Sequence, residues 1–155
     1  MIIKMNCRNS GACKCEKEKT CGICDVERGI RELEEGLRLA GRGLELVRAC
    51  DLCEGIRCLE LAARELTKGL ATLAAGLENT RFMEGCSRRE IEEMLCVIEK
   101  YIDCIERAIE ALCNGETARG IAMVEEAICC IAKELKKLRT MICGRERERK
   151  CGCSR

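Results

Sequence analysis

Cysteine is the residue through which this chain could do chemistry. It occurs 17 times in 155 residues, whereas His, Pro and Trp are absent and the only aromatics are Tyr101 and Phe82. A thiolate binds soft metals, exchanges disulfides or acts as a nucleophile, according to what surrounds it. Five Cys crowd residues 1–25 in the pattern Cys7-x5-Cys13-x-Cys15-x5-Cys21-Gly-Ile-Cys24. A Cys-x-x-Cys turn brings two sulfurs to one metal, and Gly22 suits a tight knuckle. Four sulfurs of this set could hold Zn²⁺ tetrahedrally, take Cu(I), or ligate an iron–sulfur cluster. The spacing is neither that of a zinc ribbon nor that of a bacterial ferredoxin. Two or more local disulfides account for the same residues at least as well, so no cofactor is required, and Zn or another soft metal is the alternative. Cys151-Gly-Cys153 could complete either arrangement if the two ends of the chain meet.

Other reaction classes fall away on composition. Without His there is no Ser-His-Asp triad, no His-activated thiol and no Glu-x-x-His di-iron pair. Redox catalysis by Cys21 and Cys24 lacks the βαβ surroundings of a thioredoxin-like motif. The neighbouring carboxylates Glu34-Glu35, Glu92-Glu93 and Glu125-Glu126 diverge on a helix and read as solvated faces. No phosphate-binding loop is present. The expectation is a protein that is not an enzyme.

The elements that carry these residues are helical. Residues 26–143 show apolar positions at alternating spacings of three and four. The four stripes run Val26 to Val47, Ile56 to Leu77, Ile91 to Leu112 and Ile121 to Ile142, each with seven positions. They predict helices over 26–50, 52–79, 88–113 and 117–143, packed all-α as an antiparallel four-helix bundle or as two helical hairpins. An irregular cysteine-rich head (1–25) precedes this body and a charged Cys-x-Cys tail (144–155) follows it. Asp51-x-x-Glu54 and Ser87-x-x-Glu90 are capping boxes, Asn114-Gly115 suits a left-handed helix end, and Thr117 is a candidate N-cap. Between the first two helices almost no link remains, so Arg48–Cys53 could be a kink instead of a hairpin. Gly29, Gly36, Gly43, Gly55, Gly69, Gly76 and Gly120 all precede an "a" position of the heptad. Gly within a helix costs up to about 1 kcal/mol relative to Ala, so this edge predicts close helix packing, with a groove for a partner chain as the alternative.

None of the 28 stripe positions is Cys. The remaining cysteines, Cys50, Cys53, Cys58, Cys86, Cys96, Cys104, Cys113, Cys129, Cys130 and Cys143, together with Cys151 and Cys153, fall on flanks, outer faces, links and the tail. A copper-storing helical bundle would line its interior with thiolates, whereas Leu and Ile fill the interior here and no Cys-x-x-x-Cys occurs. Outward cysteines suit cross-links between helices or subunits, each adding about 2–4 kcal/mol. An odd total leaves one thiol over when all others pair within the chain, and a link to a second copy would absorb it.

Net charge is +1, with residues 1–25 at +2, residues 144–155 at +3 and the body at −4. Basic ends could touch nucleic acid, but the tail alternates in sign and two aromatics provide no stacking platform. No secretory signal is visible and the longest apolar run, Ala127 to Ala132, is too short to cross a membrane. Many thiols without export point to an oxidising hyperthermophilic setting, in agreement with the absence of Gln and the abundance of Glu, Lys and Arg. A cytoplasmic or virion-associated location follows. The reading is a structural or assembly subunit (coat, filament or scaffold), homo-oligomeric and disulfide-hardened. A thiolate metal protein using Cys7, Cys13, Cys15, Cys21 and Cys24 is the alternative. A helical adaptor for partner helices or nucleic acid is the third.

Overall fold

In a computed structural model the described backbone covers residues 14–78 and 88–154, with side chains described for 24–78 and 88–142. These residues form four helices and no strand: α1 (Lys14–Arg48), α2 (Leu52–Glu78), α3 (Arg88–Cys113) and α4 (Thr117–Ser154). Each packs antiparallel to its neighbour in sequence, and α4 closes back onto α1. Ion pairs mark this last interface, Arg48 with Glu125 near one end and Arg139 with Glu34 nearer the other. The chain is therefore all-α and adopts the antiparallel four-helix bundle.

The core is aliphatic and contains no fully buried polar residue among those described. Leu33, Leu59, Leu66, Leu73, Ile91, Ile98, Ile105, Val124, Ile131 and Leu138 are completely excluded from solvent. The apolar stripes locate this core but not its centre. Leu37, Ile56, Leu70, Leu95, Ile109, Ile121 and Ile128 are only half-buried, while the preceding residue in each case is buried. The buried seam is thus rotated toward the glycine, alanine and methionine edge, because small residues there let the helices come closer than a Leu/Ile seam alone would.

Closest of all are α1 and α2. A Cβ added at Gly29 would lie 2.6 Å from the backbone N of Leu73, and one at Gly69 would lie 3.0 Å from the Gly29 carbonyl oxygen. Gly43 and Gly55 are paired the same way, each placing a hypothetical Cβ 3.0 Å from the other's carbonyl oxygen. The glycine edge is consequently consumed inside the hairpin and offers no groove to a partner. Side chains on both helices would hold the axes apart, and the absent Cβ atoms allow backbone to meet backbone.

The link between α1 and α2 is a hairpin, not a kink. Cys50 takes φ +68°, Asp51 N–H donates to the Leu46 carbonyl at 2.8 Å, and Cys50 N–H donates to the Val47 carbonyl at 3.0 Å. These two bonds are a Schellman ending that reverses the chain within three residues. The second hairpin repeats it with Gly115 at φ +84°, Glu116 bonded to Ala111 and Gly115 to Leu112. Asp51 then caps α2, its carboxylate accepting from Glu54 N–H at 3.4 Å, while the Glu54 side chain pairs with Arg57 in place of closing the box. At α4 the cap is Glu116, whose carbonyl accepts from Gly120 N–H, so Thr117 is the first helical residue and not the cap. Ser87 lies outside the described residues.

Two boundaries differ from the sequence reading. α1 begins at Lys14 and α4 continues to Ser154, so each helix reaches beyond its apolar stripe. No proline or helix-ending glycine motif interrupts either stretch, so each helix propagates past its apolar stripe. Because α1 and α4 are antiparallel, both prolongations lie at the same end of the bundle, opposite the two hairpin turns.

Opposite effects on stability are expected from two glycines of α1. Gly41→Ala meets nothing within 4 Å and gains up to about 1 kcal/mol of helix propensity. Gly29→Ala forces α1 and α2 apart and gives a net loss of about 1–2 kcal/mol, because overpacking outweighs propensity. Urea denaturation followed by far-ultraviolet circular dichroism reads both; midpoints shifting the same way would contradict the backbone contact.

Candidate functional site

The described thiols are all free and fall into two groups. Cys24, Cys50, Cys53, Cys96, Cys113 and Cys129 are exposed, whereas Cys58, Cys104 and Cys130 are half-buried. None lies in the fully buried core. Cys50 and Cys53 flank the first hairpin turn, and Cys113 ends α3 beside the second turn, at the same end of the bundle. Of the five head cysteines, Cys24 alone has a described side chain; Cys7 and Cys13 lie outside the described residues. Cys21 and Cys24 occupy i and i+3 positions of α1. Cys86 is outside the described residues, and Cys15, Cys143, Cys151 and Cys153 are placed on the helical prolongations with no side chain described. Among the described residues, no group of three or more His, Cys, Asp or Glu is arranged to hold a metal ion.

One constellation does form, along the interface where α3 meets α4. It consists of Tyr101 and Cys104 on α3, with Met123, Glu126 and Cys130 on α4. Both cysteines stand two residues after an "a" position, on the helix flank that borders the partner. The Cys104 thiol donates to the Met123 carbonyl oxygen at 3.6 Å. Burial pushes the Cys104 thiol above its ordinary range, and the Glu126 charge adds to this, while Arg107 acts against it. Interaction with the Cys130 thiol and the negative charge available there, then partial burial and the charges of Glu126 and Cys104, push the Tyr101 phenol up to about 12. The Lys100 ammonium lies 5.6 Å from the Tyr101 ring centre. The neighbouring Cys129 is exposed, so the Cys129-Cys130 pair presents one sulfur to solvent and one to the interface.

Cys104 is held protonated and shielded. Its surroundings contain no cation that dominates, which is what an activated nucleophile needs. An open groove of about 680 Å³ along α3 and α4 is lined by Met94, Val97 and Met141 together with Glu and Lys side chains. It contains no thiol and no convergent set of titratable groups. The sequence reading placed Cys104 and Cys130 on helix flanks but did not join them, and it overlooked Tyr101 and Glu126. The available signal was spacing: Tyr101-x-x-Cys104 and Glu126-x-x-x-Cys130 each put two groups on one helix face.

No protein-family model, no curated protein and no solved structure matches the chain. Among the described residues no helix is long and apolar enough to cross a membrane. The molecule is thus defined by its own geometry: a four-helix bundle with an aliphatic core and thiols distributed around it.

Tyr101 is the sole tyrosine and Trp is absent, so absorbance near 295 nm reports this contact alone. The phenol is expected to ionise near 12 in the folded protein and near 10 when unfolded. The folded state holds this proton more tightly, so the contact's contribution is fully present below about pH 10 and is lost as pH rises through the folded value. Cys130→Ala should bring the folded midpoint back toward about 10; an unchanged midpoint would remove Cys130 as its cause.

Proposed function

We propose that this protein is a non-enzymatic structural or assembly subunit, of the coat, filament or scaffold kind, hardened by disulfides within and between subunits. The observation that carries this reading is the separation of thiols from core. A bundle whose interior is complete in Leu, Ile, Val, Ala and Gly has no structural use for cysteine, yet nine described thiols stand around its flanks, ends and outer faces. Six exposed thiols on one small bundle can reach other copies without disturbing its packing. A solvent-exposed free thiol is a liability for a monomer and a means of attachment for an assembly. An oxidising hyperthermophilic setting, inside a cell or a virion, is the environment in which such bridges form and persist without export. The surface supports the same picture, with short-range pairs such as Arg38–Glu35, Arg88–Glu92 and Arg119–Glu116 covering the outer helix faces. Ion pairs of this type add most at high temperature.

Material kept under oxidising conditions should run as oligomers on non-reducing gels and in size-exclusion chromatography, and should collapse to the 17.3 kDa chain after reduction. A species of monomer size under both conditions, unaffected by reductant, would sink the assembly reading. Elemental analysis of anaerobically purified protein separates the metal alternative: one or more Zn, Fe or Cu per chain would move the function to the cysteines of residues 1–25.

A further inference from the structure

We propose that neighbouring copies of this chain dock the outer edge of α3 against the outer edge of α4, antiparallel, and are stitched there by Cys113 of one copy and Cys129 of the next. The inference rests on the assembly reading and names the surface that carries it.

On α3, Glu99, Asp103, Glu106, Glu110 and Cys113 recur at alternating intervals of four and three, so they form one stripe along the helix. All five are exposed. None of the four carboxylates makes an ion pair among the described residues. Lys100 and Arg107, the cations of this stretch, each follow a stripe residue and so stand round the helix toward the flank where Cys104 meets α4. On the other flank Glu106 borders α2, beside Arg64 and Lys68. The acidic stripe therefore faces outward and leans toward α2.

The α4 edge carries the opposite charge. Cys129, Lys133, Lys136 and Thr140 recur at intervals of four, three and four, and all are exposed. Lys133 and Lys136 make no ion pair among the described residues, while the neighbouring Glu134 is held by Lys137. Cys129 lies one turn after Glu125 and Lys136 one turn before Arg139, and both of those residues pair with α1. This stripe thus leans toward α1. The acidic and basic edges lie on opposite sides of the α3·α4 face.

Set antiparallel, the stripes match position by position. With Cys113 opposite Cys129, Glu110 meets Lys133, Glu106 meets Lys136, and the Thr140 hydroxyl donates to Asp103. Within one chain the two sulfurs are too far apart. Gly120 packs against Leu112 beside Cys113, and Cys129 lies nine residues further along α4, about 14 Å, beyond the roughly 4.4–6.8 Å Cα separation of a disulfide. Because the two edges differ and face apart, the contact is heterologous and continues from copy to copy into a ring or filament.

The stitch forms by exchange with a low-molecular-weight disulfide. The Cys129 thiolate attacks R–S–S–R, forming Cys129–S–S–R and releasing RS⁻. The Cys113 thiolate of the neighbouring copy attacks the Cys129 sulfur and releases the second RS⁻. The two protein thiols lose two electrons, the small disulfide gains them, and the released thiolates take up the two protons.

The test incubates reduced full-length protein with glutathione disulfide, alkylates the remaining thiols, and digests each band of a non-reducing gel with trypsin. Cys113 falls in the peptide 108–119, and Cys129 with Cys130 in 120–133. The dimer and higher bands should contain these two peptides joined. The link should persist in Cys130→Ser and vanish in Cys113→Ser and in Cys129→Ser, whereas a mixture of the last two variants should regain it. Lys133→Glu with Lys136→Glu should lower its yield about tenfold or more, and adding Glu106→Lys with Glu110→Lys should restore it. Circular dichroism checks that each variant is folded. The proposal is overturned if the link comes from the monomer band, if Cys113 is joined to any cysteine but Cys129, or if charge reversal leaves the yield unchanged. Oligomers joined through other cysteines, with Cys113 recovered alkylated, would overturn this edge and leave the assembly reading standing. Monomers alone after oxidation would overturn both.

Discussion

The fold depends on one contact: the backbones of α1 and α2 touch. Gly29 against Leu73, and Gly43 against Gly55, bring two helices together at distances a Cβ would forbid. That approach sets the hairpin's geometry, turns the buried seam toward the small-residue edge and explains why half of the "a" positions are only partly covered. It also explains a cost. Helical glycine is unfavourable, and Cys50 sits in left-handed conformation at the turn. Both are tolerated because the close interface and the Schellman bonds around Cys50 hold them in place.

With the interior closed this way, Cys104 packs against the edge of the core and no described thiol lies inside it. Cysteine is ordinarily among the most buried residue types, yet here six described cysteines are exposed and three half-buried. The half-buried Cys104 and Cys130 lie along the α3·α4 interface with Tyr101 and Glu126, whereas Cys50, Cys53 and Cys113 gather beside the hairpin turns. Cys24 and Cys129 open onto other parts of the surface. Exposed sulfurs stand at both ends of the bundle and along its side.

Much of this was legible in the heptads. All-α class, four helices, the start of α2, both bounds of α3 and the left-handed turn at Gly115 followed from spacing and from Gly chemistry. What spacing did not convey was rotation and continuation. A three–four repeat marks a face about 100° wide, so Leu37 and Gly36 both satisfy it, and only the partner helix decides which is central. Neither prolongation carries a proline, and Gly22, Gly144 and Gly152 lie inside the helices, so α1 begins at Lys14 and α4 continues to Ser154 beyond their apolar stripes. Cys50 concealed the first hairpin because a non-glycine residue occupies a position where glycine is the usual signal. The contact of Cys104 with Met123 was illegible for a different reason: it crosses antiparallel helices whose register is set by Gly120 against Leu112 and Ala108, which no local pattern encodes.

The thiols therefore connect the architecture to the proposed role, and their oxidation state decides between that role and the alternatives. A count of free thiols on native protein isolated under oxidising, non-reducing conditions, with the fully reduced chain of 17 as reference, puts the question in one number. The account predicts that most are consumed and that reduction restores them while dissociating the oligomer. Recovery of all 17 as freely reactive thiols in native protein would contradict it.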